Sequence, residues 1–130
     1  MSAACDYLRL TTSHRPMPVV GCAGKGTVEA DRMHDMAAIM VEILRGYRLP
    51  VHSDHGVVHW ARVLENGLRV ADSNGADRDV VTLFAVFHDS RRINEHRDDG
   101  HGLRGGDFAR ALRGRLVHLE DARFELLFEA

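Results

Sequence analysis

His88 and Asp89 place an imidazole beside a carboxylate at the end of the most apolar run of the chain, Val80-Val81-Thr82-Leu83-Phe84-Ala85-Val86-Phe87. A borderline nitrogen donor next to a hard oxygen donor is a chelating pair, and a metal ion would offset the cost of burying the carboxylate. Two other stretches carry comparable chemistry. Upstream is His55-Gly56-Val57-Val58-His59-Trp60-Ala61-Arg62-Val63, and downstream is Asp98-Asp99-Gly100-His101-Gly102. Six of the nine histidines, His52, His55, His59, His88, His96 and His101, fall within this central segment. Taken alone, each has a plainer reading. His59 would be a buried histidine satisfied by one hydrogen bond, and Asp89 a residue at a helix C-terminus facing water. The second reading is unfavourable, because the helix dipole already puts negative charge at that end.

These residues need rigid elements to hold them, and helical periodicity supplies the candidates. Helix 1 is expected over about Ala30 to Arg48. Met33, Met36, Ala37, Met40, Ile43, Leu44 and Tyr47 form its apolar face, Asp31 caps it, and Gly46 and Pro50 end it. His34 reads as a surface residue. Helix 2 is expected to start at Ser53 or Asp54 and run to about Asp72. At about 100° per residue, Val57, Trp60, Ala61, Leu64, Leu68 and Ala71 share one face. His52, His55, His59, Val63, Asn66 and Val70 share another, and only a narrow strip is charged, so helix 2 should be central. Ser73-Asn74-Gly75 is a turn. Helix 3 follows from an Asp77 cap to His88 or Ser90; its β-branched residues also suit a buried strand, but no partner strand is in sight.

Residues 90–101 read as a solvated loop of mixed charge. Helix 4 is expected over Gly102 to Arg115, with Gly105-Gly106 marking a close backbone approach. Helix 5 spans about Glu120 to Ala130, with Ala122, Leu126 and Leu127 as core contacts. The fold class is therefore all-α: about five helices and no sheet.

The whole chain agrees with one domain. It has 130 residues, 45% of them hydrophobic, enough for a sizeable core. A formal net charge of -2 gives no reason to expect nucleic acid or an anionic membrane. Two cysteines, Cys5 and Cys22, are too few for a disulfide framework. Asp6, Arg9 and His14 interrupt any N-terminal signal core, and no apolar run is long enough to span a bilayer, so a cytoplasmic protein is expected. Residues 1–27 lack periodicity and read as a flexible tail before a helical domain over 28–130. Gly21-Cys22-Ala23-Gly24-Lys25-Gly26-Thr27 does not have the glycine spacing of a phosphate loop.

In order and spacing, His59-Trp60-Ala61-Arg62-Val63, Phe84-Ala85-Val86-Phe87-His88-Asp89 and His101-Gly102 resemble the signature of the HD-domain superfamily of metal-dependent phosphohydrolases over residues 30–130. The resemblance implies an HD-type helical bundle with His59, His88 and Asp89 as ligands of a divalent ion (Mn, Mg, Fe, Co, Ni or Zn). Asp89 would be indispensable to catalysis. His101 would be a ligand of a second ion, ahead of His96. It implies hydrolysis of a small phosphate ester or anhydride, often a nucleotide. Arg91 and Arg92 are close enough in sequence to pair with that phosphate, although surface charge is their simpler role. The family supplies a further aspartate from a later helix. Asp107 lies too close to His101, and Asp121 comes too early. An incomplete site is therefore expected, in a chain shortened or truncated at Ala130, with exposed apolar surface that favours a homodimer. The alternatives are a non-catalytic HD-like module that binds a nucleotide or a protein, and a helical protein whose histidines are structural.

Overall fold

We describe residues 34–130 from a computed structural model of the chain. The expected tail, the Asp31 cap and Met33 lie outside the described residues. Five helices are present: α1 (Met36–Gly46), α2 (Val57–Asn74), α3 (Arg78–Phe87), α4 (His101–Leu112) and α5 (Asp121–Glu129). Among the described residues there is no strand, only an isolated bridge between Arg113 and Val117, so the fold is all-α as expected. No described helix is long and apolar enough to cross a membrane.

The centre of the bundle is α3 rather than α2. It buries Val80, Leu83, Ala85, Val86 and Phe87 and packs against α2, α4 and α5. Its start is fixed by Asp77, whose carboxylate accepts from the backbone N–H groups of Asp79 and Val80. In α2 only Trp60 and Ala71 are buried, while Val58, Ala61 and Val70 are exposed. On its second face His59 and Val63 are half-buried but Asn66 and Val70 are exposed, so α2 lies at the edge of the bundle, which corrects the expectation of a central helix. Gly67 is where α2 meets α3: a Cβ there would come within 2.7 Å of Val81 Cγ1.

Helix α1 is capped by Asp35, which accepts from Ala38 N–H, and buries Ile39 and Ile43 instead of Ala37 and Leu44. His34 is not a bare surface residue: its Nδ1 accepts the N–H of His118 at 3.0 Å, and the two rings stack. In α5, Phe124 and Leu127 are buried, whereas Ala122 and Leu126 are exposed.

Helix α2 starts three residues later than its cap-like Ser53 suggests, with Gly56 as its cap. Residues 50–57 instead form turns joined by Ser53 N–H to Pro50 O, Gly56 N–H to Ser53 O and Val57 N–H to Val51 O. Gly56 makes this closure possible, because a Cβ would lie 2.2 Å from Val51 O. Gly105 plays a similar part between helices. Its Cβ would sit 2.3 Å from Phe87 O, so α4 approaches the end of α3 backbone to backbone.

Candidate metal centre

The site forms where the C-terminal end of α3 meets the start of α2 and the start of α4. His88 is the C-cap of α3, and its Nδ1 lies 3.2 Å from Phe84 O and 3.1 Å from Ala85 O. Phe84 O already accepts the backbone N–H of His88 at 3.0 Å, and Nδ1–H, with only carbonyl oxygens in reach, donates to this last-turn pair as well. That hydrogen bond leaves Nε2 with a lone pair aimed away from the helix. Phe84 stacks on the imidazole at 5.1 Å and fixes the ring plane. His101, the first residue of α4, follows the same logic, with Nδ1 donating to Asp98 O at 2.5 Å. His59 lies in the first turn of α2.

Around the buried Asp89 carboxylate, four histidines and one arginine converge. Oδ2 is 3.1 Å from His55 Nδ1, 3.4 Å from His59 Nε2 and 3.3 Å from His88 Nε2. Oδ1 is 3.3 Å from Arg92 Nη1 and 3.6 Å from His101 Nε2. His59 Nε2 and His88 Nε2 are 3.2 Å apart. Two donors that each lie about 2.0–2.2 Å from one ion are themselves separated by roughly 3.0–3.5 Å. The edges of the His59, His88 and Asp89 triangle, 3.2–3.4 Å, match that spacing. His55, His59 and Asp89 likewise offer ligand atoms all within 4.8 Å of one another, so the group could hold a metal ion.

The electrostatics favour an ionised Asp89 and a neutral His59. Burial alone pushes the Asp89 carboxyl up. With a proton rather than a metal on His88 Nε2, hydrogen bonding and charge from His88, with hydrogen bonds from His55 and Arg92, outweigh burial and hold the carboxyl below the usual carboxylate range. Burial, then repulsion from His88, pushes the His59 imidazole down, which favours its neutral form.

The structure thus brings His59, His88 and Asp89 together, with His101 on the other carboxylate oxygen. His55 joins them and was not singled out from sequence. Its signal was the His-x-x-x-His spacing to His59, but the route is different: His55 sits in the turn before α2, and Tyr47 Oη holds it by donating to His55 O at 2.8 Å. His52 and His96 are exposed, and Asp107 and Asp121 pair with Arg110 and Arg113.

The 90–101 segment is not a solvated loop. Ser90, Arg92 and Asp98 are buried. Arg92 donates to Asp89 Oδ1, Asn94 O and His96 O. Asp98 accepts from Ile93 N–H and from Arg104 Nη2, at 2.6 and 2.5 Å. Its own carbonyl orients His101, so this loop positions the site. Arg91 and Arg92 are not free surface charges; both donate to groups within the protein. Arg91 donates to Ile43 O, Glu42 O and Ser90 O and lies 3.4 Å from the centroid of the Phe108 ring.

His88 and His101 also line a cavity of about 370 Å³ whose other walls include Phe84, Phe87, Leu103 and Phe128. No protein-family model, curated protein or solved structure significantly matches this chain.

Proposed function

We propose that this chain is a metal-dependent phosphohydrolase of the HD type acting on a small phosphate ester or nucleotide. The observation that carries the reading is the triangle of His59 Nε2, His88 Nε2 and Asp89 Oδ2, with edges of 3.2–3.4 Å. These residues would hold the ion, with His55 and His101 adjoining. A nitrogen-rich donor set suits Fe, Co, Ni, Zn or Mn over Mg, which prefers oxygen ligands and keeps its waters. A bound divalent ion supplies acidification of water and polarisation of a phosphoryl oxygen. In the reaction, water oxygen bonds to phosphorus, the P–O ester bond breaks, and the leaving alkoxide takes up a proton. His101 Nε2 keeps its lone pair because Nδ1 is committed to Asp98 O, and it accepts the proton that water loses. The organic part of the ester occupies the cavity walled by Phe84, Phe87, Leu103 and Phe128.

One observation favours a second reading, a non-catalytic binding module. Arg92, three residues after Asp89, donates through all three of its nitrogens to groups within the protein. Phosphate release from a panel of nucleotides and sugar phosphates, by full-length protein loaded with each metal in turn, separates the two. The enzyme reading expects turnover that a chelator abolishes and that falls at least about a hundredfold in Asp89→Ala. A mutant as fast as the parent in chelator would exclude this site as the active site. A folded, metal-loaded parent inactive across the panel would favour the binding module.

A further inference from the structure

A second cavity of about 370 Å³ lies between the end of α1, the 91–93 segment and α4. Its walls include Arg48, Arg91, Arg92, Arg104 and Phe108, and a single carboxylate, Asp107. That carboxylate is engaged with Arg110 at 3.1 Å, and the Asp98 carboxylate neutralises Arg104. Arg92 faces Asp89. Two positive charges remain. Arg48 is exposed and has no ion pair among the described residues, and Arg91 is half-buried with only carbonyl oxygens as hydrogen-bond acceptors.

Capping the end of α1 accounts for where Arg91 sits, but it does not cancel the charge. The Arg91 guanidinium is pressed between Gly46, whose Cβ would lie 3.1 Å from its central carbon, and the Phe108 ring. The one carboxylate that acts on Arg91 is that of Glu42, which is itself shared with Arg45 at 3.0 Å and Arg115 at 3.9 Å. A cation partly withdrawn from water is costly to bury, and an anion alongside offsets that cost. A guanidinium carries five N–H groups. Arg91 donates through Nη1 and once through Nη2, and Arg104 through Nε and Nη2, so Nε of Arg91 and Nη1 of Arg104 remain open. Planar forks with open donors suit the oxygens of a phosphate group.

We infer that this cavity is a binding site for a phosphate group, distinct from the metal centre, with Arg48 and Arg91 as its principal cations. The cavity is larger than a phosphate ion needs, and Ile93 and Phe108 give it apolar wall, so a small phosphorylated metabolite fits as well as free phosphate. The site stands on its own residues and does not depend on the phosphohydrolase reading.

Calorimetric titration of the full chain in chelator, at fixed ionic strength, with inorganic phosphate and separately with glycerol 3-phosphate, tests it. Saturable 1:1 binding is expected, weakened about tenfold in Arg48→Ala and lost in Arg48→Glu, but unchanged in His59→Ala. Tighter binding of glycerol 3-phosphate would identify a phosphorylated metabolite as the source of the group, and equal or tighter binding of inorganic phosphate would identify the free ion. Absence of saturable binding by either probe, equal affinity in Arg48→Glu, or loss of binding in His59→Ala would each overturn the proposal.

Discussion

Asp77 and Asp89 stand at opposite ends of α3, and both are held ionised, but by different kinds of partner. Asp77 caps the N-terminus, where the helix dipole favours negative charge. It also receives a two-pronged hydrogen bond from Arg123, at 2.5 and 2.8 Å, and that bond is the main reason its carboxyl is lowered to about 2. Arg123 reaches Asp79 as well, so α5 is clamped to the start of α3. Asp89 follows the C-terminus, where the dipole opposes it. Its one permanent cation, Arg92, addresses Oδ1, while Oδ2 faces only imidazole nitrogens. A carboxylate closed off by arginine has a structural task. One whose oxygen lies among converging imidazole nitrogens could hold a cation.

Gly105→Ala should have the largest effect on this contrast. Its Cβ would strike the Phe87 carbonyl at 2.3 Å, and backbone cannot swing aside as a side chain can. A loss of at least about 2 kcal/mol in denaturant unfolding is expected. Metal affinity should fall as well, because α4 carries His101. An unchanged unfolding midpoint would mean that the two helices do not approach this closely.

Breaking the other end should be milder and leave the centre intact. Arg123→Ala removes the clamp on a partly exposed pair, so a loss of about 1–2 kcal/mol is expected, with unchanged metal affinity by calorimetry. A large drop in affinity would show that the two ends are coupled through α3.

Acidification should reveal the smallest effects, in two separate steps. His59 has a depressed folded-state pKa, so the unfolded chain binds more protons. Stability is full above about 6.5, the unfolded histidine value, and declines as pH falls toward the folded value. Asp77 contributes stability above about 3.9, the unfolded aspartate value, which is lost as pH falls through about 2. In chelator, chemical unfolding across pH should lose the upper step in His59→Gln and weaken the lower step in Arg123→Ala. The reverse assignment would contradict the contrast.

Much of the frame was legible because it depends on short-range physics. The Asp77 cap and the continuous apolar run of α3 are local features, and α3 has both. Gly105 was legible as a close approach because a glycine inside a helix is unfavourable without a reason. The placement of α2 was misread. Val70 has the right spacing from His59 and Val63 for a buried face, yet periodicity reports only that a face is apolar, and here Val70 is 56% exposed. The start of α2 was misread because Ser53 is a good cap by type, while the turn closed by Gly56 takes the preceding residues out of the helix.

Sequence by itself determined the all-α class, the central hydrophobic character of α3 and the presence of His88-Asp89 at its end, since each follows from residue type and spacing over a few turns. Tertiary structure alone decided that His55 reaches Asp89 Oδ2, that Arg92 is buried against Oδ1 and that Asp98 sets the direction of His101. Those contacts join residues on different elements or across an irregular loop. They depend on where Tyr47 anchors the turn before α2 and on where Arg104 anchors Asp98, at separations for which neither periodicity nor capping carries information.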